Sequence, residues 1–127
     1  MSQYLLSAEA GFSAAHTLPG VDTCERLHGH NWRVRLTVRV GEDELDSLGM
    51  GPDFREIRSI LLGIVQDFEH RHLNELEPFR DLPPTAERIA HIVAVRAARD
   101  LGTADAPGQV EEVSVWEMPE YCVVYRP

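Results

Sequence analysis

The segment "CERLHGH", residues 24–30, places a thiol, a carboxylate and two imidazoles close together in a chain with only two cysteines. In extended backbone, residues two apart point the same way, so His28 and His30 present their rings to one side, with Gly29 leaving room between them. That is half of a metal site. His16, at the end of "FSAAH", lies where a neighbouring antiparallel strand would meet His28 and His30. Three neutral imidazoles leave zinc an open coordination position, the mark of a catalytic site; Cys24 as a fourth ligand would close it and make it structural. Cys24 and Glu25 are also the two candidates for a base beside the metal. Adjacent side chains diverge, so only one of them is expected to face it.

A second pair, "HRH" at 70–72, falls at the predicted end of a helix, where residues two apart diverge by about 200° and joint ligation by His70 and His72 is not expected. Two readings stay open. The histidines are polar groups favoured near a helix C-terminus by its dipole, or Glu69 and His70 form an acid/base pair in which the carboxylate favours the imidazolium. Glu117, in "VWE", reads by residue type alone as a strand-end charge. Cys122, in an apolar strand, reads as a small core residue.

The rest of the chain must position these groups. A length of 127 residues suits a single domain, 1–127, with one core. Two cysteines are too few for a secreted disulfide framework, and "MSQYLLSAEAGF" lacks the pattern of a signal peptide, so a cytoplasmic location is expected. No apolar run approaches the ~20 residues of a membrane span. The net charge of -9 without a basic patch gives no footprint for nucleic acid or anionic lipid. All 12 basic residues are arginine, which excludes Schiff-base chemistry by this chain.

In "NWRVRLTVRV" Trp32, Val34, Leu36, Val38 and Val40 alternate with polar residues, the period of a strand with one wet face. "QYLLSAEAGFSAAH" is a first strand and "GEDELDSLGMGP" a loop. Asp53, with Glu56 three residues on, caps a helix whose apolar stripe is Phe54, Ile57, Leu61, Ile64 and Phe68, ending near "EHRHLNELEPF". Thr85 caps a second helix, with Ile89, Val93 and Ala97 on one face and Gly102 as its stop. "QVEEVSVWEM" and "YCVVYR", joined by a turn at Pro119-Glu120, are closing strands. The order strand, strand, helix, helix, strand, strand implies an α+β layer: a four-stranded antiparallel sheet with both helices on one face. Its open edges invite pairing with another chain.

"FSAAH", "CERLHGH", "PDF", "EHRHLN", "PTAE" and "VWE" resemble, in order and spacing across nearly the whole chain, the 6-pyruvoyl-tetrahydropterin synthase family. That family includes the bacterial 6-carboxy-tetrahydropterin synthases of queuosine and deazapurine biosynthesis. The resemblance implies the tunnelling fold, a ββααββ unit whose trimers close a twelve-stranded barrel and stack into a homohexamer. It implies Zn2+ on His16, His28 and His30, and a pterin substrate, 7,8-dihydroneopterin triphosphate. Cys24 and His70 take the positions of a proton-moving triad, with Glu69 where the family has aspartate. Glu117 takes the place of the pterin-anchoring carboxylate, and Thr85 that of a threonine assisting it. Arg26 is near enough to serve a phosphate; otherwise it is an exposed arginine.

Three functions fit. One is a zinc lyase forming 6-carboxy-tetrahydropterin, or a close relative of that reaction, with Cys24 as base. A second has Glu25 leading a retro-aldol cleavage to 6-hydroxymethyl-dihydropterin, as in a subgroup of similar proteins with a glutamate at or beside the cysteine. The third is a catalytically silent, metal-bound pterin binder.

Overall fold

The computed structural model describes residues 2–127. Two long strands, β1 (Gln3–His16) and β2 (His28–Gly41), pair antiparallel without interruption from Gln3 opposite Gly41 to His16 opposite His28. The predicted alternation holds: Trp32, Val34, Leu36, Val38 and Val40 are all buried. They meet Ala10, Phe12 and Ala14 of β1 on the same face. Removing a side chain of this size from water contributes about 1.5–3 kcal/mol.

Helix α1 (Phe54–Val65) starts where Asp53 accepts the Arg55 N–H, at 2.7 Å. Its Ile57, Leu61, Ile64 and Val65 are buried. Phe54 is not part of that stripe: at the first helical position it faces solvent, 62% exposed. The helix also ends earlier than the sequence implies, and Phe68 reaches the core from the turn that follows. In place of a helix end, "EHRHLN" supplies β3 (Arg71–His72), which pairs parallel with Ala14 and Ala15 of β1.

Helix α2 (Ala86–Thr103) is capped by Thr85, whose hydroxyl accepts the Arg88 N–H, at 3.2 Å. Ile89, Val93 and Ala97 are fully buried. Gly102 is not its stop. The chain turns at Asp105, in the left-handed region at φ 53°, with Asp105 N–H bonded to Gly102 O and Ala106 N–H to Leu101 O, the double closure of a Schellman ending.

Strands β4 (Gln109–Met118) and β5 (Tyr121–Tyr125) complete a sheet of order β3-β1-β2-β4-β5. The sheet is therefore five-stranded and mixed rather than four-stranded and antiparallel; the four longer strands are antiparallel, and the two-residue β3 adds the parallel pair. Gly108, before β4, sits at φ +97° with space for no Cβ: one there would lie 2.7 Å from Val38 and 2.8 Å from Val40. Cys122 is exposed, not core, because it stands opposite Trp116 and shares its side of the sheet, away from Val113 and Val115. No helix among the described residues is long and apolar enough to cross a membrane.

Candidate metal centre and the clefts beside it

The register of β1 and β2 builds the site. His16 stands directly opposite His28, and Ala14 opposite His30, so the three rings meet on the buried face at one end of the sheet. Their centroids lie 4.6 Å (His16–His28), 4.8 Å (His28–His30) and 5.2 Å (His16–His30) apart. Trp32 supports them from below, its ring 5.1 Å from His16 and 5.3 Å from His30, with its indole N–H donated to Ala14 O. Gly29 lies on the opposite face, where a Cβ would make only an ordinary contact, 3.7 Å from Ala14 O. Alternation, not the glycine, brings the rings together.

Glu117 joins them. By alternation along β4 it shares the face of Val113 and Val115, at the point where the pairing of β4 with β5 slips by one residue between Trp116 and Met118. The Glu117 Oε1 lies 3.1 Å from His16 Nε2 and 3.2 Å from His30 Nε2. His16, His28, His30 and Glu117 each offer a ligand atom within 4.8 Å of the others. Cys24 is not one of the four.

The donor set fits a metal ion in a specific way. His16 Nδ1 lies 2.9 Å from Pro84 O, and His28 Nδ1 lies 2.7 Å from Arg26 O. Each carbonyl demands a proton on Nδ1, which leaves the Nε2 lone pair free for a metal. Among the described residues the buried Nε2 atoms of His16 and His30 have no assigned hydrogen-bond partner, and the Glu117 oxygen is their nearest charged neighbour. Buried nitrogens left so are costly unless something else satisfies them. Burial also pushes His16 and His30 below the usual 6.5, outweighing the Pro84 carbonyl at His16 and the Glu117 carboxylate at both, which pull the other way. Neutral imidazoles and one carboxylate suit zinc.

Two clefts flank the cluster. One, of about 310 Å³, is lined by Leu18, Thr85, Glu87, Glu117 and Cys122. Thr85 and Glu117, paired by the sequence motifs, thus share one wall. The other, of about 470 Å³, is lined by Ser13, His30, Asn31, His70 and Arg71. His70 adopts a left-handed φ of 56°, uncommon for a residue with a Cβ. Its backbone N–H bonds Ser13 O at 2.6 Å, and its Nε2 lies 3.1 Å from Glu69 Oε1, which also accepts the Ser13 N–H. The Glu69–His70 pair therefore exists, with His70 82% exposed. His72 faces Glu75 instead, at 3.3 Å, and neither His70 nor His72 belongs to the metal cluster.

Cys24 and Glu25 sit in the loop that joins β1 to β2, within a short 3-10 turn, Asp22–Glu25. Cys24 is half-buried. Glu25 Oε1 accepts the Gly20 N–H at 2.9 Å on the exposed side of that loop. Arg26 contributes to the site through its carbonyl on His28, not through its guanidinium. Asn74, which residue type alone does not single out, clamps the backbone next to His16: its side chain bonds both the N–H and the C=O of Thr17.

The family description "6-pyruvoyl tetrahydropterin synthase" matches residues 5–127. A Bacillus subtilis protein named 6-carboxy-5,6,7,8-tetrahydropterin synthase is 32% identical, the match covering 96% of this chain and 84% of that one. A Pyrococcus furiosus protein named dihydroneopterin monophosphate aldolase is also 32% identical, over 90% of each chain. The solved structure of Caenorhabditis elegans 6-pyruvoyl tetrahydropterin synthase superposes with a TM-score of 0.84 at 20% identity, covering 100% of this chain and 97% of that one.

Proposed function

Because the chain belongs to the 6-pyruvoyl tetrahydropterin synthase family, we propose that it is a cytoplasmic, zinc-dependent lyase acting on the side chain of 7,8-dihydroneopterin triphosphate, with 6-carboxy-5,6,7,8-tetrahydropterin as product. The observation that carries this reading is the convergence of His16, His28, His30 and Glu117, with Glu117 also lining the cleft that holds Thr85. A metal beside a ring-sized cleft is what this chemistry requires.

When bound, zinc supplies Lewis-acid polarisation of the side-chain hydroxyls, acidifying the C–H bonds next to them. The protein does the rest. The Pro84 and Arg26 carbonyls hold His16 and His28 in the ligating tautomer. In this reading the three histidines would hold the metal and leave it a position for the substrate, while the Glu117 carboxylate accepts the paired N–H donors of the pterin edge, a charge-assisted and directional contact, and Thr85 bounds the same cleft. Cys24 removes a proton from the activated carbon. His70, oriented by Glu69, exchanges protons with the side-chain oxygens.

The test is to incubate the zinc-loaded protein with dihydroneopterin triphosphate and identify the product by mass; 6-carboxy-tetrahydropterin is expected. A second reading is favoured by the name of the Pyrococcus furiosus relative and by Glu25 beside Cys24: retro-aldol cleavage to 6-hydroxymethyl-7,8-dihydropterin. That reaction needs a base for a hydroxyl proton and stabilisation of a carbanion, and no lysine. Its product differs in mass, so the same assay with dihydroneopterin and its phosphates decides between them. Pterin binding without turnover would leave a silent binder.

A further inference from the structure

His16 and His28 face each other across two strands, yet residues 17–27 intervene, far more than a tight hairpin needs. The loop holds its shape by a compact set of bonds. Leu18 N–H bonds Cys24 O at 2.7 Å, Cys24 N–H bonds Val21 O at 2.7 Å, and Val21 N–H bonds Leu18 O at 3.2 Å. Side chains add to these: Asn74 bonds the N–H and C=O of Thr17 at the start of the loop, and Glu25 Oε1 accepts the Gly20 N–H at 2.9 Å. Gly20 at φ +82° and Asp22 at φ 40° both lie in the left-handed region, a conformation that needs such ties to persist. The bond from Glu25 spans both residues and closes the ring of chain that carries Cys24.

We propose that Glu25 is a positioning residue: its carboxylate fixes the 17–27 loop so that the Cys24 thiol is presented at the metal centre. In this arrangement the Glu25 carboxylate is already engaged: it accepts the Gly20 N–H on the exposed side of the loop. The two candidates of "CERLHGH" therefore have different tasks, one chemical and one geometric. This rests on the reading of Cys24 as the base, and its test includes a measurement independent of turnover.

Glu25→Ala and Glu25→Gln are compared in the zinc-loaded protein carrying Cys122→Ser, which leaves Cys24 as the single thiol. Alanine deletes the tie to Gly20, whereas the glutamine amide oxygen accepts the same hydrogen bond. Glu25→Ala should lower kcat by up to ~100-fold, the scale of a reacting group displaced by about 1 Å, with KM little changed; Glu25→Gln should restore most of it. The alkylation rate of Cys24 by iodoacetamide should change several-fold in Glu25→Ala and match the parent in Glu25→Gln, with zinc content equal in all. Loss of turnover in Glu25→Gln as deep as in Glu25→Ala would overturn the proposal, because the charge and not the bond would then be needed. So would an unchanged alkylation rate in Glu25→Ala. If Cys24→Ala is fully active while the alkylation rates behave as expected, the base assignment fails and the loop tie stands.

Discussion

At the scale of single residues, the site separates holding a metal from moving a proton. His28 is fixed by the Arg26 carbonyl and faces His16 across the strands, so His28→Ala removes a donor whose tautomer is already set. Zinc content should fall from about one per chain to a small fraction, read by elemental analysis after dialysis. Cys24→Ala should keep its zinc, since the sulfur is not among the four donors, and lose at least ~100-fold in turnover if the thiol is a general base. Loss of zinc from Cys24→Ala would make it a ligand instead. The three histidines were legible from the sequence because alternation and a two-residue spacing are local properties. The nearness of Glu117 to them was not, because it depends on the register of β4 against β2, with Trp116 opposite Arg33. Nor were the carbonyls of Pro84 and Arg26, since any residue could supply them. Cys122 was misread for a related reason: an apolar strand has two faces, and only its register against Trp116 tells which one a residue occupies.

At the scale of elements, capping residues marked both helix starts, while the ends depended on tertiary context. Asp53 and Thr85 bond the backbone where the sequence placed them. The segment after Val65 was harder to read. Phe68 still follows the helical stripe, but the chain leaves the helix to place His70 against Ser13 O and β3 against β1. Competition from that sheet edge overrides local periodicity. The Asp53 cap carries a pH signature. Hydrogen bonds from the Arg55 side chain and backbone hold the Asp53 carboxyl down at about 2. A carboxylate whose value is depressed in the folded state contributes stability that is full above the ordinary ~3.9 and is lost as pH falls through the folded value. Asp53 is partly exposed and its partner Arg55 almost wholly so, so the contribution is screened and small. Asp53→Ala should therefore lower Tm by a constant amount above about pH 4, and the difference should narrow towards pH 2. Thermal melts of both proteins from pH 2 to pH 7 test this; a gap that widens on acidification would contradict the cap assignment.

At the scale of the whole molecule, the question is how the sheet finishes itself. The face opposite the helices is not an apolar layer awaiting another. Arg35 pairs with Glu9 at 2.7 Å and Arg39 with Glu111 at 2.8 Å, while the Arg33 guanidinium lies 3.9 Å over the Trp116 ring. Such a face suits a wet interior better than a sandwich core. The edges differ. The outer edge of β1 is covered at Glu9 O by Arg58, at Ser13 by Glu69 and His70, and at Ala14 and Ala15 by β3, but among the described residues no such bond reaches Gln3–Ser7. There Leu5 is 58% exposed, beside a cleft lined by Tyr4, Leu45, Met50 and Phe54. At the far edge, β5 presents Tyr121 and Val124 to solvent. Open edges with apolar side chains favour joining strand to strand. Copies joined β1 to β5 would close a barrel around the arginine-lined face, and would bring a neighbour beside His70, which is bonded to the same β1 edge. We therefore expect a closed trimer or hexamer by light scattering, in keeping with the cyclic symmetry that head-to-tail edges produce. Lysine on an edge strand opposes such pairing, so Leu5→Lys with Val124→Lys should shift the protein towards monomer. Since His70 would then lose its neighbour, turnover should fall while zinc content stays near one per chain. A fully active monomer would place the complete site within one chain and rule out a role for the edges in catalysis.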